Sequence, residues 1–417
     1  MSQAGEVSAY DRLVWPEGQV EKWLVSGEHR REQLTYLGDA EYARLRDLAL
    51  AAAAVTPDPE RVVYFVPGIM GTQLAQVRER PAPDNLLWLD PTDVQHGQLD
   101  LLTLPGEPLV TCGPVLYTWL PLKLALHAAG LSMRCFTYDW RRDLAEASSA
   151  FAQELEGCNA REVNVIGHSM GGMIARAALG RPGGKRVRRL ITMGTPHRGS
   201  FAPVEAVRGV YPLVRRLAQI DPTRTPEALS RDVFSSFHSL YQMLPRDTQP
   251  DLIDPRHWPR SGPQPNATLL ARAPLFDPGP VDARMQSIAG HGYLTTTQVA
   301  HVDGEFWYRH DYDGDGTVPH ARAVLLGCRA WYCRVPHNEL PRDAGVQAAL
   351  VKLLEDGTPQ LSASAPVRSD APTSASDSQL RRQLNRKLDW AHMDSTQRRA
   401  FMDSLHSPAP AAATGLG

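Results

Sequence analysis

Cysteine is scarce in this chain and poorly placed for crosslinking. The five thiols, Cys112, Cys135, Cys158, Cys328 and Cys333, are odd in number and include no C-x-x-C pair. That argues against a disulfide framework and against a zinc site, and leaves Cys328–Cys333 as the one pairing worth considering. An excess of one charge is also missing. The 44 Lys and Arg stand against 46 Asp and Glu, so no global field draws the chain to nucleic acid. No uncharged apolar run approaches the ~20 residues that span a bilayer. The alanine-rich stretch ending at Val55 is too short and follows Arg44, Arg46 and Asp47. Residues 1–21 carry acidic groups and no continuous apolar core, so no export signal is expected. The thiols are then expected to be reduced, in a cytoplasmic protein.

What is present is a globular composition, 42% hydrophobic and 22% charged over 417 residues, enough for one large α/β domain with additions. Residues 1–58 read as an N-terminal helical extension in which Asp39 caps a helix with Tyr42, Leu45, Leu48 and Ala49 on one face; no chemistry is expected from it. From 59 to 358 strand and helix patterns alternate: strands at 62–66, 133–138, 163–166, 189–194, 285–289 and 330–335, with helices at 116–129, 144–155 and 344–354. Such alternation predicts a mainly parallel sheet with helices on both faces. It breaks at 201–282, where helical patterns at 204–217 and 226–244 suggest a cap insertion. Residues 359–378, rich in Ser, Ala, Pro and Thr, read as a flexible linker. In the tail, 379–417, Leu380, Leu384 and Leu388 recur at i+4 among Arg381, Arg382, Arg386 and Lys387, and a second helix surrounds Phe401, Met402 and Leu405. This basic amphipathic tail suits docking on its own domain or a partner, or, with Trp390 on the apolar face, peripheral contact with a membrane surface.

The segment Gly167-His168-Ser169-Met170-Gly171-Gly172 follows the β-branched run Val163-Asn164-Val165-Ile166 and precedes a helical pattern. Strand, G-x-S-x-G, helix is the context of a nucleophile elbow, a turn that strains the serine backbone and leaves no room for Cβ atoms two residues either side. A serine hydroxyl needs a base to take its proton, and the base needs a carboxylate to fix its tautomer. In this chain order the acid comes next. Asp315, in Asp311-Tyr312-Asp313-Gly314-Asp315-Gly316-Thr317-Val318-Pro319, is the leading candidate, with Asp313 as fallback. The same stretch partly fits a calcium loop, but its twelfth position is Arg322 where a bidentate Glu belongs. For the base, His337 follows the last strand, whereas His320 lies five residues past Asp315. Oxyanion donors are expected from the Met170 amide and, in Pro67-Gly68-Ile69-Met70-Gly71-Thr72, from the Ile69 amide. Nothing calls for a metal or cofactor.

Seven segments in series resemble the lecithin:cholesterol acyltransferase family of α/β-hydrolases: 66–74, Leu87-Trp88-Leu89-Asp90, Phe136-Thr137-Tyr138-Asp139-Trp140-Arg141, 167–172, Gly194-Thr195-Pro196-His197-Arg198-Gly199-Ser200, Leu240-Tyr241-Gln242-Met243-Leu244-Pro245 and 314–319. The resemblance covers about 62–355; the terminal segments match nothing in it. It implies an α/β-hydrolase fold, triad roles for Ser169, Asp315 and His337, and an acyl pocket under a cap with Met70, Trp140, Tyr241 and Leu244 in contact with substrate. The expected activity is hydrolysis of an acyl lipid, phospholipase A- or esterase-like, through an acyl-enzyme. The alternatives are acyl transfer from a phospholipid to an alcohol, and a non-catalytic module that uses the fold for binding.

Overall fold

The computed structural model describes residues 18–76, 85–366, 371–382 and 386–406. Six strands form the central sheet in the spatial order Arg329–Cys333, Met285–Gly290, Val187–Met193, Glu162–His168, Asp58–Val66 and Leu131–Cys135, every neighbouring pair parallel. Both faces are covered. Along Asp58–Val66 the side chains of Val62, Tyr64 and Val66 enter one apolar core while Val63 and Phe65 enter the other. A strand buried on both faces reads as an unbroken apolar run, which is why it stands out in sequence. Helices Leu144–Gly157 and Met170–Leu179 pack on the first face, and Leu116–Ala128, Ala344–Leu354 and Asp39–Ala53 on the second.

From Asp58–Val66 the chain steps outward to Leu131–Cys135, then crosses back to Glu162–His168 on the other side of its starting strand. The reversal leaves a crevice beyond the carboxyl ends of Asp58–Val66 and Glu162–His168, where open α/β sheets bind their ligands. This is the α/β-hydrolase fold. A helical insertion between strands Val187–Met193 and Met285–Gly290 covers the crevice, built from Ala202–Val207, Pro212–Ile220, Pro226–Asp232, His238–Gln242 and Ala267–Arg272. The two long helices expected here are broken. Gly209, at φ +71°, ends the first, and Pro212 at a first helical position starts a new one.

Two features depart from the expected organisation. Tyr293–Val302 and Glu305–Gly314 form a long antiparallel hairpin. Asp303 and Gly304, both at positive φ, make its two-residue turn. Within the expected linker, Thr373–Ser376 adds a third strand to that hairpin, so this part of the linker is ordered by backbone pairing. The expected basic helix is shorter than its leucine spacing suggested: it spans Asp377–Arg382, and Leu384 lies outside the described residues, as do 1–17 and 407–417 of the terminal segments. Leu380 and Leu388 pack on the domain and Trp390 is fully buried. Among the described residues, Leu380, Leu388 and Trp390 of the expected apolar face are turned toward the protein itself. All five cysteines are free thiols, including Cys328 and Cys333. No helix among the described residues is long and apolar enough to cross a membrane.

Candidate active site

Ser169 sits between strand Glu162–His168 and helix Met170–Leu179 with φ 53° and ψ −131°, a region that side chains other than glycine rarely occupy. The flanking glycines make the turn feasible. A Cβ on Gly171 would lie 2.1 Å from the Val66 carbonyl, and one on Gly167 would lie 2.5 Å from the Gly172 Cα. The strain lifts the hydroxyl off the strand end, and the Ser169 amide is anchored to the Met193 carbonyl at 2.8 Å.

His337 Nε2 lies 2.9 Å from Ser169 Oγ, and His337 Nδ1 lies 2.7 Å from Asp315 Oδ2. A carboxylate only accepts, so Nδ1 carries the proton and the Nε2 lone pair faces the hydroxyl. Asp315, 1% exposed, is fixed on its other oxygen by the amides of Thr317 and Val318 at 3.0 and 2.7 Å. Its carbonyl accepts from the His337 amide at 2.8 Å, which ties the two loops together. His168, next to the serine, donates from Nε2 to the His337 carbonyl at 2.9 Å. Burial, with His337 close by, pushes the His168 pKa down to about 3, so it stays neutral. The other candidates lie elsewhere. His320 packs edge-on against Tyr332 and shares a polar recess with Asp313, Arg198 and Arg322.

Met170 opens its helix, so its amide has no acceptor within the helix. The facing loop is held as a turn by the Gly71 amide on the Gly68 carbonyl at 3.1 Å, with Met70 at φ 65°. Trp88 Nε1 donates to the Met70 carbonyl at 2.8 Å. Ile69, Met70 and Gly68 all line the cavity that contains Ser169 and His337. That cavity is about 350 Å³, within the range of small-ligand sites, and its walls are mostly apolar.

Three residues expected to contact substrate do not line it. Trp140 is completely buried and donates from Nε1 to the Thr72 carbonyl at 2.9 Å; with Tyr138, whose hydroxyl donates to the Pro67 carbonyl at 2.6 Å, it braces the Ile69 loop from behind. The Tyr241 hydroxyl donates to the Ser235 carbonyl at 2.9 Å and accepts from the Asn266 amide at 2.8 Å, which stitches the cap together. Leu244 is buried in the core, and its neighbours Leu240 and Met243 reach the cavity instead. Met70 does line it. Sequence reasoning missed both ends of the chain: Tyr36, Leu37 and Glu41 near the N-terminus, and Arg399, Met402 and Leu405 of helix Ser395–His406, also form walls. The 3- and 4-residue spacing of Phe401, Met402 and Leu405 marked an apolar helix face but not what it covers.

A family model described as the PGAP1-like alpha/beta domain matches residues 149–232, from the helix before strand Glu162–His168 into the cap. The match reaches the α/β-hydrolase level and does not single out the lecithin:cholesterol acyltransferases. No curated protein matches the chain. Among solved structures, mature Bacillus licheniformis lipase BlEst2 is similar at 16% identity over 72% of this chain and 94% of its own, with a TM-score of 0.37. The metagenomic carboxyl esterase MGS0156 is similar at 11% identity over 69% and 67%, TM-score 0.34. A chain of the Tle4–Tli4 complex is similar at 15% identity over 71% and 98%, TM-score 0.35.

Proposed function

We propose that the protein is a serine esterase that cleaves acyl esters of lipids, glycerophospholipids foremost, through an acyl-enzyme. The observation that carries this reading is the hydrogen-bonded series Ser169–His337–Asp315 opening into a mostly apolar cavity. His337 Nε2 takes the Ser169 proton as Oγ attacks the ester carbonyl carbon. The Met170 and Ile69 amides receive the oxyanion, and the collapsing intermediate expels the alcohol with the proton returned by His337. Asp315 keeps Nδ1 protonated and offsets the imidazolium charge. Water, activated by the same Nε2, then releases the acid. An alcohol in place of water would make the reaction a transfer; no observation favours an acceptor, so hydrolysis is the reading adopted. The cytoplasm is the proposed compartment, given five free thiols.

The test is labelling with a fluorophosphonate and turnover of p-nitrophenyl esters by wild type, Ser169→Ala and His337→Ala. Wild type should label. Both variants should lose kcat by a factor on the order of 10⁶. Equal labelling of wild type and Ser169→Ala would instead favour the non-catalytic reading.

A further inference from the structure

The C-terminal segment is fastened to the domain at several independent points. Strand Thr373–Ser376 pairs with Glu305–Gly314. Asp377 and Arg208, both fully buried, form a salt bridge at 2.6 Å, and Tyr308 donates to the same carboxylate at 2.7 Å. Lys387 Nζ donates to the carbonyls of Ala218, Asp221 and Arg224 at 2.8, 2.5 and 2.5 Å, and the Leu388 amide to that of Gln219 at 2.7 Å. These bonds deliver helix Ser395–His406 to a slot between the cap helix Pro212–Ile220 and the N-terminal helix Arg30–Leu37. There Arg216 donates to the Ser404 carbonyl and Arg399 to the Thr35 carbonyl. Phe401 is buried with its ring edge-on to Trp390, 5.8 Å between centroids. In that register Met402 and Leu405 face the cavity that holds Ser169.

We infer that helix Ser395–His406 is a fixed wall of the acyl-binding cavity and that Met402 limits the length of acyl chain it accepts. The inference deepens the esterase reading and rests on it. The helix backbone is anchored, so an acyl chain that reaches this wall cannot displace it and gains room only as far as the side chains on the wall re-pack. Unbranched and partly buried, Met402 packs against the cluster of Ala75 and Leu86 on the strands Thr72–Gln76 and Asn85–Trp88 and fills the space beside them. Each methylene that still finds room in an apolar cavity should raise kcat/KM about fourfold, and the rise should end where the chain meets the wall.

The experiment is kcat/KM for p-nitrophenyl esters from acetate to palmitate with wild type, Met402→Ala, Met402→Phe and Met402→Trp, each checked by its thermal unfolding midpoint. Met402→Ala removes three heavy atoms and should move the optimum to chains longer by roughly three carbons; the aromatic variants should move it to shorter ones. Met402→Phe keeps the narrowing arm informative if the larger indole disturbs folding. Folded variants that keep the wild-type optimum in both directions would overturn the assignment. Ser169→Ala separates the two readings: if it still hydrolysed the series, the serine mechanism would fail rather than the wall.

Discussion

Asp315→Asn is the most discriminating single change, because the two oxygens of Asp315 do different work. Oδ1 accepts the Thr317 and Val318 amides, and an Asn side chain can keep both with its own Oδ1. Oδ2, at 2.7 Å from His337 Nδ1, would become an NH₂ group that can only donate. The imidazole would then place its proton on Nε2, facing Ser169 Oγ 2.9 Å away, and no lone pair would be left to take the serine proton. The fold should survive, since the turn bonds persist; the loss of one charge-assisted bond costs about 1.5–3 kcal/mol. Catalysis should not. A wrong-tautomer base lowers kcat on the order of 10⁴-fold, about 5 kcal/mol of transition-state stabilisation. The assay is kcat on a short p-nitrophenyl ester from pH 6 to 10, beside urea unfolding of the same preparation. A variant folded like wild type with kcat within tenfold of it would refute the orientation argument.

Asp377→Ala leaves the Arg208 guanidinium charged, buried and without its carboxylate, although the Pro259 and Pro263 carbonyls still accept from it. Urea unfolding should show a loss of about 3 kcal/mol, the low end for breaking a buried pair. Glu205 supplies a pH prediction. Burial raises its carboxyl from 4.5 to about 7, partly countered by the hydrogen bond from Thr296. The native state therefore keeps a proton that the unfolded chain releases near pH 4.5, so this contribution is complete below that pH and fades as pH rises to about 7. It amounts to about 3 kcal/mol. His168 and His197, both pushed down to about 3 by burial, slope the opposite way below pH 6.5. The comparison is therefore Glu205→Gln against wild type, whose stability difference should change between pH 5 and 7.5 in urea titrations.

The elbow was legible because its constraint is local. A tight turn at Ser169 forces Cβ-free neighbours at fixed offsets, and those offsets are written in six consecutive residues. Asp315 and His337, the proposed acid and base, stood out because each comes just after a late strand, Glu305–Gly314 of the hairpin and Arg329–Cys333 of the central sheet, so chain order restricts the choice even over long separations. Trp140 shows the limit of motif reading. A segment that braces a cavity-lining loop from behind, as Trp140 does through the Thr72 carbonyl, looks the same in sequence as one that lines the cavity itself. The hairpin carried a clear signal in Asp303-Gly304 between alternating runs, but its strands lie outside the βα alternation that organised the rest.

The cavity walls were illegible for a different reason. Leu37 and Met402 are ordinary apolar residues on short helices, and any such helix buries one face somewhere. Nothing in either segment encodes the other, although Arg399 of one donates to the Thr35 carbonyl of the other across most of the chain's length. Their meeting place is set by anchors that are themselves non-local: Asp377 on Arg208, and Lys387 on the end of a cap helix. The Ser169 turn is thus specified by short-range sterics, while the cavity beside it is walled by segments from both ends of the chain that meet only once the domain between them has folded. Substitutions at the two ends of the chain should accordingly alter which esters are cleaved more than whether esters are cleaved.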